Sequence, residues 1–278
     1  MRTFKDRVAV ITGAGSGIGR ALSVKLAEQG ARIAICDLDQ AGLEETSKKI
    51  ELLGGEVHSY CVDVANHEKM LQFADNVIDD FGQVDILINN AGVTLRPKRF
   101  EETTHEEFKW LIGINQWGVY NGIAVFLPHL RQRPEASIVN MSSLAGLVGV
   151  YGYPSYAMSK FAVRGLSEAL QMELANTDIR VTIVHPGGVK TSIMKNAPDF
   201  EDAEQHKMMV KFFSRAATLT PEKVAVRILR AVRKKRYRVI LGVDAKLVFT
   251  IRKIFPRKFP HLLRPMFAMM MGDIPGKK

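Results

Sequence analysis

Seven stretches of strand length recur along this chain, most of them separated by segments with helical periodicity, and few architectures accommodate that alternation. Arg7–Thr12, Ala31–Cys36, Val84–Asn89, Ala136–Asn140, Arg180–Val184 and Arg238–Leu241 are near-continuous apolar runs rich in Val and Ile, while Glu56–Val62 is weaker and alternating. Runs without alternation fit strands covered on both faces, as in a parallel sheet. Gly17–Gln29, Gly42–Leu53, His67–Asp80, Gly118–Leu130 and Tyr156–Ala175 carry apolar residues at helical spacing, as helices that cover such a sheet do. The expected fold is α/β: a doubly wound, mostly parallel sheet of about seven strands with helices on both faces. No Pro/Gly/Ser-rich linker, internal repeat or low-complexity tract interrupts it, so residues 1–243 read as one domain and residues 244–278 as an extension.

Composition removes several classes. A chain of 278 residues with 46% hydrophobic and 24% charged residues is globular rather than disordered or collagenous. Cys36 and Cys61 are the only cysteines, too few for a disulfide framework; both end strand candidates and read as buried apolar fillers. No run reaches the roughly 18 apolar residues of a membrane span, and the opening M-R-T-F-K-D-R lacks the apolar stretch of a signal peptide. A cytoplasmic protein, soluble or peripheral to a membrane, is expected. The seven histidines show no H-x-x-x-H or paired Cys/His spacing, so no metal site is expected. Asn140-Met-Ser142 spells a glycosylation acceptor but falls at a buried strand end.

The net charge of +10 is unevenly placed. Residues 1–221 are close to neutral, whereas residues 222–278 hold 16 Lys and Arg against 3 Asp and Glu. The molecule reads as a neutral body with a basic tail.

The first strand runs into T-G-A-G-S-G-I-G, Thr12 to Gly19, and then into a helix. Gly13, Gly17 and Gly19 allow a sharp turn and close backbone approach, and Ser16 and Ile18 stand between them where an anion would meet the helix N-terminus. The second strand delivers Asp37, followed by Leu38, at its carboxyl end. A carboxylate there can accept from a ribose 2′-hydroxyl and repels a 2′-phosphate, which favours NAD(H) over NADP(H). The plainer readings are a tight turn and a solvated loop carboxylate.

These residues, taken with those further along, resemble the short-chain dehydrogenase/reductase family over about residues 6–242. The turn is similar to the family's T-G-x-x-x-G-x-G. Asp63, with Val64 beside it, stands where the family contacts adenine, and N-N-A-G at Asn89–Gly92, including Ala91, matches the motif that supports the cofactor. Asn115 in I-N-Q-W-G matches the catalytic-helix asparagine, and Ser143 lies thirteen residues before Tyr156. Tyr156 opens Y-A-M-S-K, the family's Y-x-x-x-K, and Lys160 closes it. P-G-G-V-K-T, carrying Pro186, Val189 and Thr191, matches the segment over the nicotinamide. The resemblance implies a Rossmann-type fold, an NAD(P)-dependent oxidoreductase acting on CH–OH groups, and catalytic residues Asn115, Ser143, Tyr156 and Lys160. It further implies that Asn115 holds a water that passes protons between Lys160 and solvent.

Part of this chemistry follows from the residues themselves. Tyr156 and Lys160, four apart on a helix, share a face. A phenol with a pKa of about 10 is a poor base at neutral pH, and a neighbouring ammonium and a nicotinamide cation both favour the phenolate. Tyr156 could then accept an alcohol's proton, with the Ser143 hydroxyl holding the reacting oxygen.

Specificity is expected from residues 191–219, which the resemblance makes a substrate lid, with apolar Ile193, Met194, Phe200, Met208, Met209, Phe212 and Phe213. Leu144, Leu147, Val148, Tyr151 and Tyr153 are expected to line the same pocket. An apolar lining points to a hydrophobic secondary alcohol or ketone of steroid, retinoid or acyl type. An NADPH-dependent ketone or ketoacyl reductase is the nearest alternative, and a non-catalytic cofactor-binding scaffold on a membrane the alternative of another kind. In the tail, Leu247, Val248, Ile251, Ile254 and Phe255 form one helical face flanked by Lys246, Arg252 and Lys253. That face suits either packing within a homodimer or homotetramer or contact with an anionic membrane surface. Nothing in the pattern suggests nucleic acid.

Overall fold

Along the first strand, side chains divide strictly by parity: Ala9 and Ile11 enter one core and Val8 and Val10 the other. This is the two-residue alternation of a strand covered on both faces. In this computed structural model, which describes residues 1–198, 207, 210–211 and 217–270 (266–270 as helix backbone alone), seven strands form a single sheet. They are β1 (Val8–Thr12), β2 (Arg32–Asp37), β3 (Val57–Cys61), β4 (Ile86–Asn89), β5 (Ala136–Met141), β6 (Ile179–Pro186) and β7 (Arg238–Leu241). Their order is β3-β2-β1-β4-β5-β6-β7 and every pairing is parallel. The sheet is the doubly wound one that the alternation of runs predicts.

On one face lie α1 (Gly17–Ala27), α2 (Gln40–Glu51) and α7 (Pro221–Arg233), which bury Leu22, Leu26, Leu43, Ile50, Val224 and Ile228 against Ile11, Ile33 and Ile35. On the other lie α3 (His67–Phe81), α5 (Gly118–Leu130) and α6 (Pro154–Glu173), with Met70, Phe73, Phe126, Val163 and Leu170 against Val10, Leu87 and Ile138. Each such aliphatic or aromatic side chain contributes about 1.5–3 kcal/mol by leaving water. Local signals set the helix ends. Asn66 accepts from the Lys69 N–H at 3.0 Å to start α3, and Gly82, at φ 72°, ends it. α4 (His105–Ile112) opens with a reciprocal Thr104–Glu107 capping box. α6 begins at Pro154, two residues before the apolar periodicity suggests, because proline is preorganised for a first helical turn.

Three features depart from the sequence reading. Cys61 is exposed, because β3 is an edge strand with one wet face. A π-turn, Gly113–Trp117, joins α4 to α5. Leu147 and Val148 face away from the cleft described below and pack with Val248, Phe259 and Leu263 of the C-terminal helices α8 (Val243–Ile254) and α9 (Phe259–Met270). Among the described residues no helix is long and apolar enough to cross a membrane.

One buried polar chain ties the sheet to α6. Asn89 Nδ2 donates to Asn140 Oδ1 at 2.8 Å, and Asn140 Nδ2 to Ser167 Oγ at 2.9 Å. Both asparagines are buried, and Asn140 is therefore no glycan acceptor in the folded chain. Replacing Asn140 by Ala leaves the Asn89 amide without its acceptor and is expected to cost about 1–3 kcal/mol. Urea unfolding checks this; an unchanged midpoint would show the chain of bonds to be energetically idle.

Candidate active site

The strand order reverses at β1, which has β2 on one side and β4 on the other, and that crevice at the carboxyl ends is where open α/β sheets take ligands. A cleft of about 450 Å³ opens there. Each strand that borders it contributes residues at or just past its carboxyl end.

The turn after β1 is held by its neighbour. Thr12 Oγ1 accepts from the N–H groups of Asn90 and Ala91, both at 3.0 Å, and Asn90 Nδ2 donates to the carbonyls of Thr12 (3.0 Å) and Gly13 (2.9 Å). Gly13 adopts φ +66°, and a Cβ there would sit 2.6 Å from Ala91 Cα, so no side chain fits. Gly19 lies behind the turn, packed against the Gly13 carbonyl, and does not reach the cleft. Gly13, Ser16, Gly17 and Ile18 line it. Ser16 caps α1 without any side-chain bond to the first turn, and that turn holds no acidic residue. The first N–H groups of α1 therefore meet the cleft with no anion of the chain's own. Ser16 Oγ lies instead 3.2 Å from Ser192 Oγ.

Asp37 ends β2 with Leu38 after it, Asp63 and Val64 follow β3, Ala91 and Gly92 follow β4, and Pro186 ends β6 with Val189 and Thr191 beyond; all line the cleft. Asp37 Oδ2 accepts from Gly15 N–H at 2.8 Å and Oδ1 from Asp39 N–H at 3.1 Å, which fixes the carboxylate at the mouth of the turn. Bare helix donors, a turn that allows close approach and a fixed carboxylate fit a dinucleotide, with pyrophosphate on α1 and ribose hydroxyls at Asp37.

At the other end of the cleft β5 delivers Ser143. Its hydroxyl oxygen accepts from Ala145 N–H at 3.1 Å, and the hydroxyl is hydrogen-bonded to the Tyr156 phenol. Lys160, one helical turn beyond Tyr156, is buried, lies 5.7 Å from the Tyr156 ring centroid and donates to the Met141 carbonyl at 3.2 Å. Burial brings the Lys160 ammonium down to about 8. Burial also raises the Tyr156 phenol, opposed by the hydrogen bond from Ser143. Within the chain's own groups, burial thus works against the acidified phenol expected from the four-residue spacing, and the Ser143 hydrogen bond works for it. Tyr153, 6.3 Å ring to ring from Tyr156, places its hydroxyl 3.9 Å from Met194 Sδ, and burial pushes its phenol up as well.

Other expected residues sit elsewhere. Asn115, on the π-turn and fully buried, accepts from Val93 N–H at 2.8 Å and donates to the Val93 carbonyl at 2.9 Å and Ser159 Oγ at 3.1 Å. Ser159 Oγ in turn donates to the Tyr156 carbonyl at 2.8 Å. The Asn115 side chain is thus a brace from the β4 exit to the backbone of α6. Asn89 is occupied by Asn140, and Leu144 packs against the third apolar cluster. Phe200, Met208, Met209, Phe212 and Phe213 lie outside the described residues.

Three residues were not singled out by sequence. Asn90 stands inside the quoted N-N-A-G, Met141 offers only its carbonyl, and His185 looks like one polar residue in an apolar strand. His185 is fully buried in β6, and its Nδ1 lies 3.0 Å from the Ser143 carbonyl, an acceptor only, so Nδ1 carries the proton. Nε2 is left without a partner, and burial holds the imidazole down to about 4.

Comparison with known proteins agrees with this geometry. The family model for short chain dehydrogenases matches residues 7–202. The chain is 41% identical over 266 residues to a Mycobacterium tuberculosis protein named as the oxidoreductase SadH, covering 95% of this chain and 96% of that one. It is 32% identical over 222 residues to cyclohexanol dehydrogenase of an Acinetobacter species, covering 80% of this chain and 86% of the relative. A short chain dehydrogenase/reductase from Burkholderia phymatum in complex with NAD superposes with a TM-score of 0.85 at 28% identity, over 100% of this chain and 99% of that one. The chain belongs to the short-chain dehydrogenase/reductase family and is an oxidoreductase of CH–OH and keto groups.

His185 gives a pH dependence with a definite sign. Between its unfolded value of about 6.5 and its folded value of about 4, the unfolded chain takes up a proton that the folded one refuses, so stability falls as pH drops through that window. The loss attributable to this ring between pH 7 and pH 4.5 is about 2–3 kcal/mol. His185→Asn, which keeps an N–H donor, is expected to lose that much less than the wild type in urea unfolding at the two pH values. Equal losses would remove His185 from the account.

Proposed function

We propose that the protein interconverts a hydrophobic secondary alcohol and its ketone with NAD(H) as the redox partner. The observation that carries this reading is one cleft with Ser143, Tyr156 and Lys160 at one end and Asp37 with the bare N-terminus of α1 at the other. A bound nicotinamide dinucleotide supplies a two-electron carrier whose oxidised ring is cationic. Gly13, Gly17 and Ile18 would hold its pyrophosphate by backbone and Asp37 its adenine-side ribose, with Asp63, Val64, Ala91 and Gly92 as the wall between and Pro186, Val189 and Thr191 over the reacting end.

In the oxidation direction the Tyr156 oxygen takes the alcohol proton while the Ser143 hydroxyl holds the substrate oxygen. The reverse reaction returns that proton. Burial raises the Tyr156 phenol and the Ser143 hydrogen bond lowers it, and in this reading positive charge on Lys160 and on a bound oxidised nicotinamide would lower it further. Lys160, near 8, exists in both protonation states close to neutral pH and so can relay the proton. Asn115 acts as a positioning residue, holding α6 through Ser159. Trp110, Ile114 and Ile193 give the cleft apolar wall, and Tyr153 and Met194, in contact beside Tyr156, are read as bordering the substrate. The apolar substrate of the related cyclohexanol dehydrogenase supports this class.

NADP(H) would demand a cation near Asp37. Arg20 comes close, donating to the Gly15 carbonyl, but its guanidinium pairs with Glu45 at 2.5 Å and with Thr46 at 3.0 Å. Solved neighbours are complexes with NAD or with NADP, so the choice rests on Asp37 and the engaged Arg20. A non-catalytic scaffold would have no use for Ser143, Tyr156 and Lys160 gathered together. Residues 1–243, with a lid over 191–219, are read as the catalytic domain of a homo-oligomer, and residues 244–278 as an extension that meets a second subunit or an anionic membrane.

Tyr156→Phe is expected to lower turnover by at least ~10²-fold while leaving dinucleotide affinity within a few-fold. Steady-state assays on a panel of apolar alcohols and fluorescence titration with NADH check both; near-wild-type turnover would refute the proton transfer. Asp37→Ser is expected to raise NADPH affinity relative to NADH in paired titrations, and an unchanged ratio would move cofactor selection elsewhere.

A further inference from the structure

The apolar face that the tail's sequence suggests is divided by the fold. Ala245 and Val248 turn inward, and Ile251 packs on the same inner cluster. Val243, Leu247 and Ile254 fall on another line along α8 at spacings of four and seven, and remain 80%, 58% and 62% exposed. Thr250 completes the line, and Lys246 and Lys253, both exposed, run along one edge of it. Phe255 and Leu262 continue the exposed apolar surface into α9. Residues 245–272 contain six Lys and Arg and no Asp or Glu.

We propose that α8 and the start of α9 seat the enzyme on an anionic lipid bilayer, with Val243, Leu247 and Ile254 entering the interface and Lys246 and Lys253 at the headgroups. The inference rests on the reading of residues 244–278 as an extension outside the catalytic domain. Charge decides the occupant: beyond Asp244, whose carboxylate is bound to the Gly188 N–H at the start of α8, only cations accompany the apolar ridge, and they repel a second copy of themselves and attract a surface of phosphate groups. Long lysine stems can lie along the apolar layer while their ammonium groups stay with phosphate and water. α9 and the first turn of α6 also enclose an apolar groove of about 680 Å³ that includes Tyr151, Pro154, Phe259 and Leu263, with Arg252 and Arg264 among its walls.

The test is flotation of the full chain with vesicles of phosphatidylcholine alone and of phosphatidylcholine mixed with phosphatidylglycerol, at low and high salt. Recovery with the anionic vesicles is expected to be at least about tenfold higher, and to fall in high salt. The double variants Leu247→Glu/Ile254→Glu and Lys246→Glu/Lys253→Glu are expected to stay in the soluble fraction while keeping NADH binding and turnover of a dissolved alcohol. Equal recovery on both vesicle types, or floating double variants, overturns the proposal. A wild type that stays soluble while Leu247→Glu/Ile254→Glu lowers its oligomeric mass overturns it too and identifies the ridge as a subunit contact. Vesicle binding without any turnover would leave the docking surface standing and remove the catalytic reading.

Discussion

The clasp between the turn after β1 and the chain leaving β4 governs the rest of this molecule. Thr12 Oγ1 receives two N–H groups from the β4 exit while Asn90 returns two bonds from its amide. Four bonds over a few residues fix two adjacent strand ends where the sheet changes direction. Because the two backbones are in contact at Gly13, the turn must lack a side chain, and the first helix must start at once. The bare N-terminus of α1, the carboxylate of Asp37 and the floor of the cleft all take their positions from that contact.

Desolvation plays the corresponding part at the chemical end. It lowers Lys160 toward neutrality, raises Tyr156 and keeps His185 uncharged. These groups sit close together because the strands carrying Met141, Ser143 and His185 end side by side under α6. The polar contacts there are shared rather than paired: Ser143 gives its hydroxyl to Tyr156 and its carbonyl to His185. Low dielectric makes each of these contacts stronger and each missing partner costlier.

Much of the fold was legible because parallel strands buried on both sides write themselves as Val- and Ile-rich runs, and six of the seven strands lie where those runs do; β3, the wet edge, lies where the weaker alternating run does. The residues of the cleft were legible because glycine spacing and the Tyr156–Lys160 interval each carry a geometric demand. The sequence reading failed where a side chain's direction depends on packing that arrives from far along the chain. Leu147 and Val148 looked like pocket lining until the C-terminal helices supplied a different neighbour. His185 carried no pattern at all, since a hydrogen bond to a carbonyl 42 residues earlier leaves no periodic trace.

The packing of Leu147 and Val148 on α8 and α9 joins the two ends of the chemistry-bearing loop in a single mechanical unit. Residues 144–153 run from the serine to the helix of the tyrosine, and their apolar side is roofed by the C-terminal helices. Evolution can therefore vary what the outer surface of that roof touches without disturbing the loop, but it cannot shed the roof. Uncovering two buried aliphatic side chains costs about 3–6 kcal/mol, a large share of what a domain of this size has to spare.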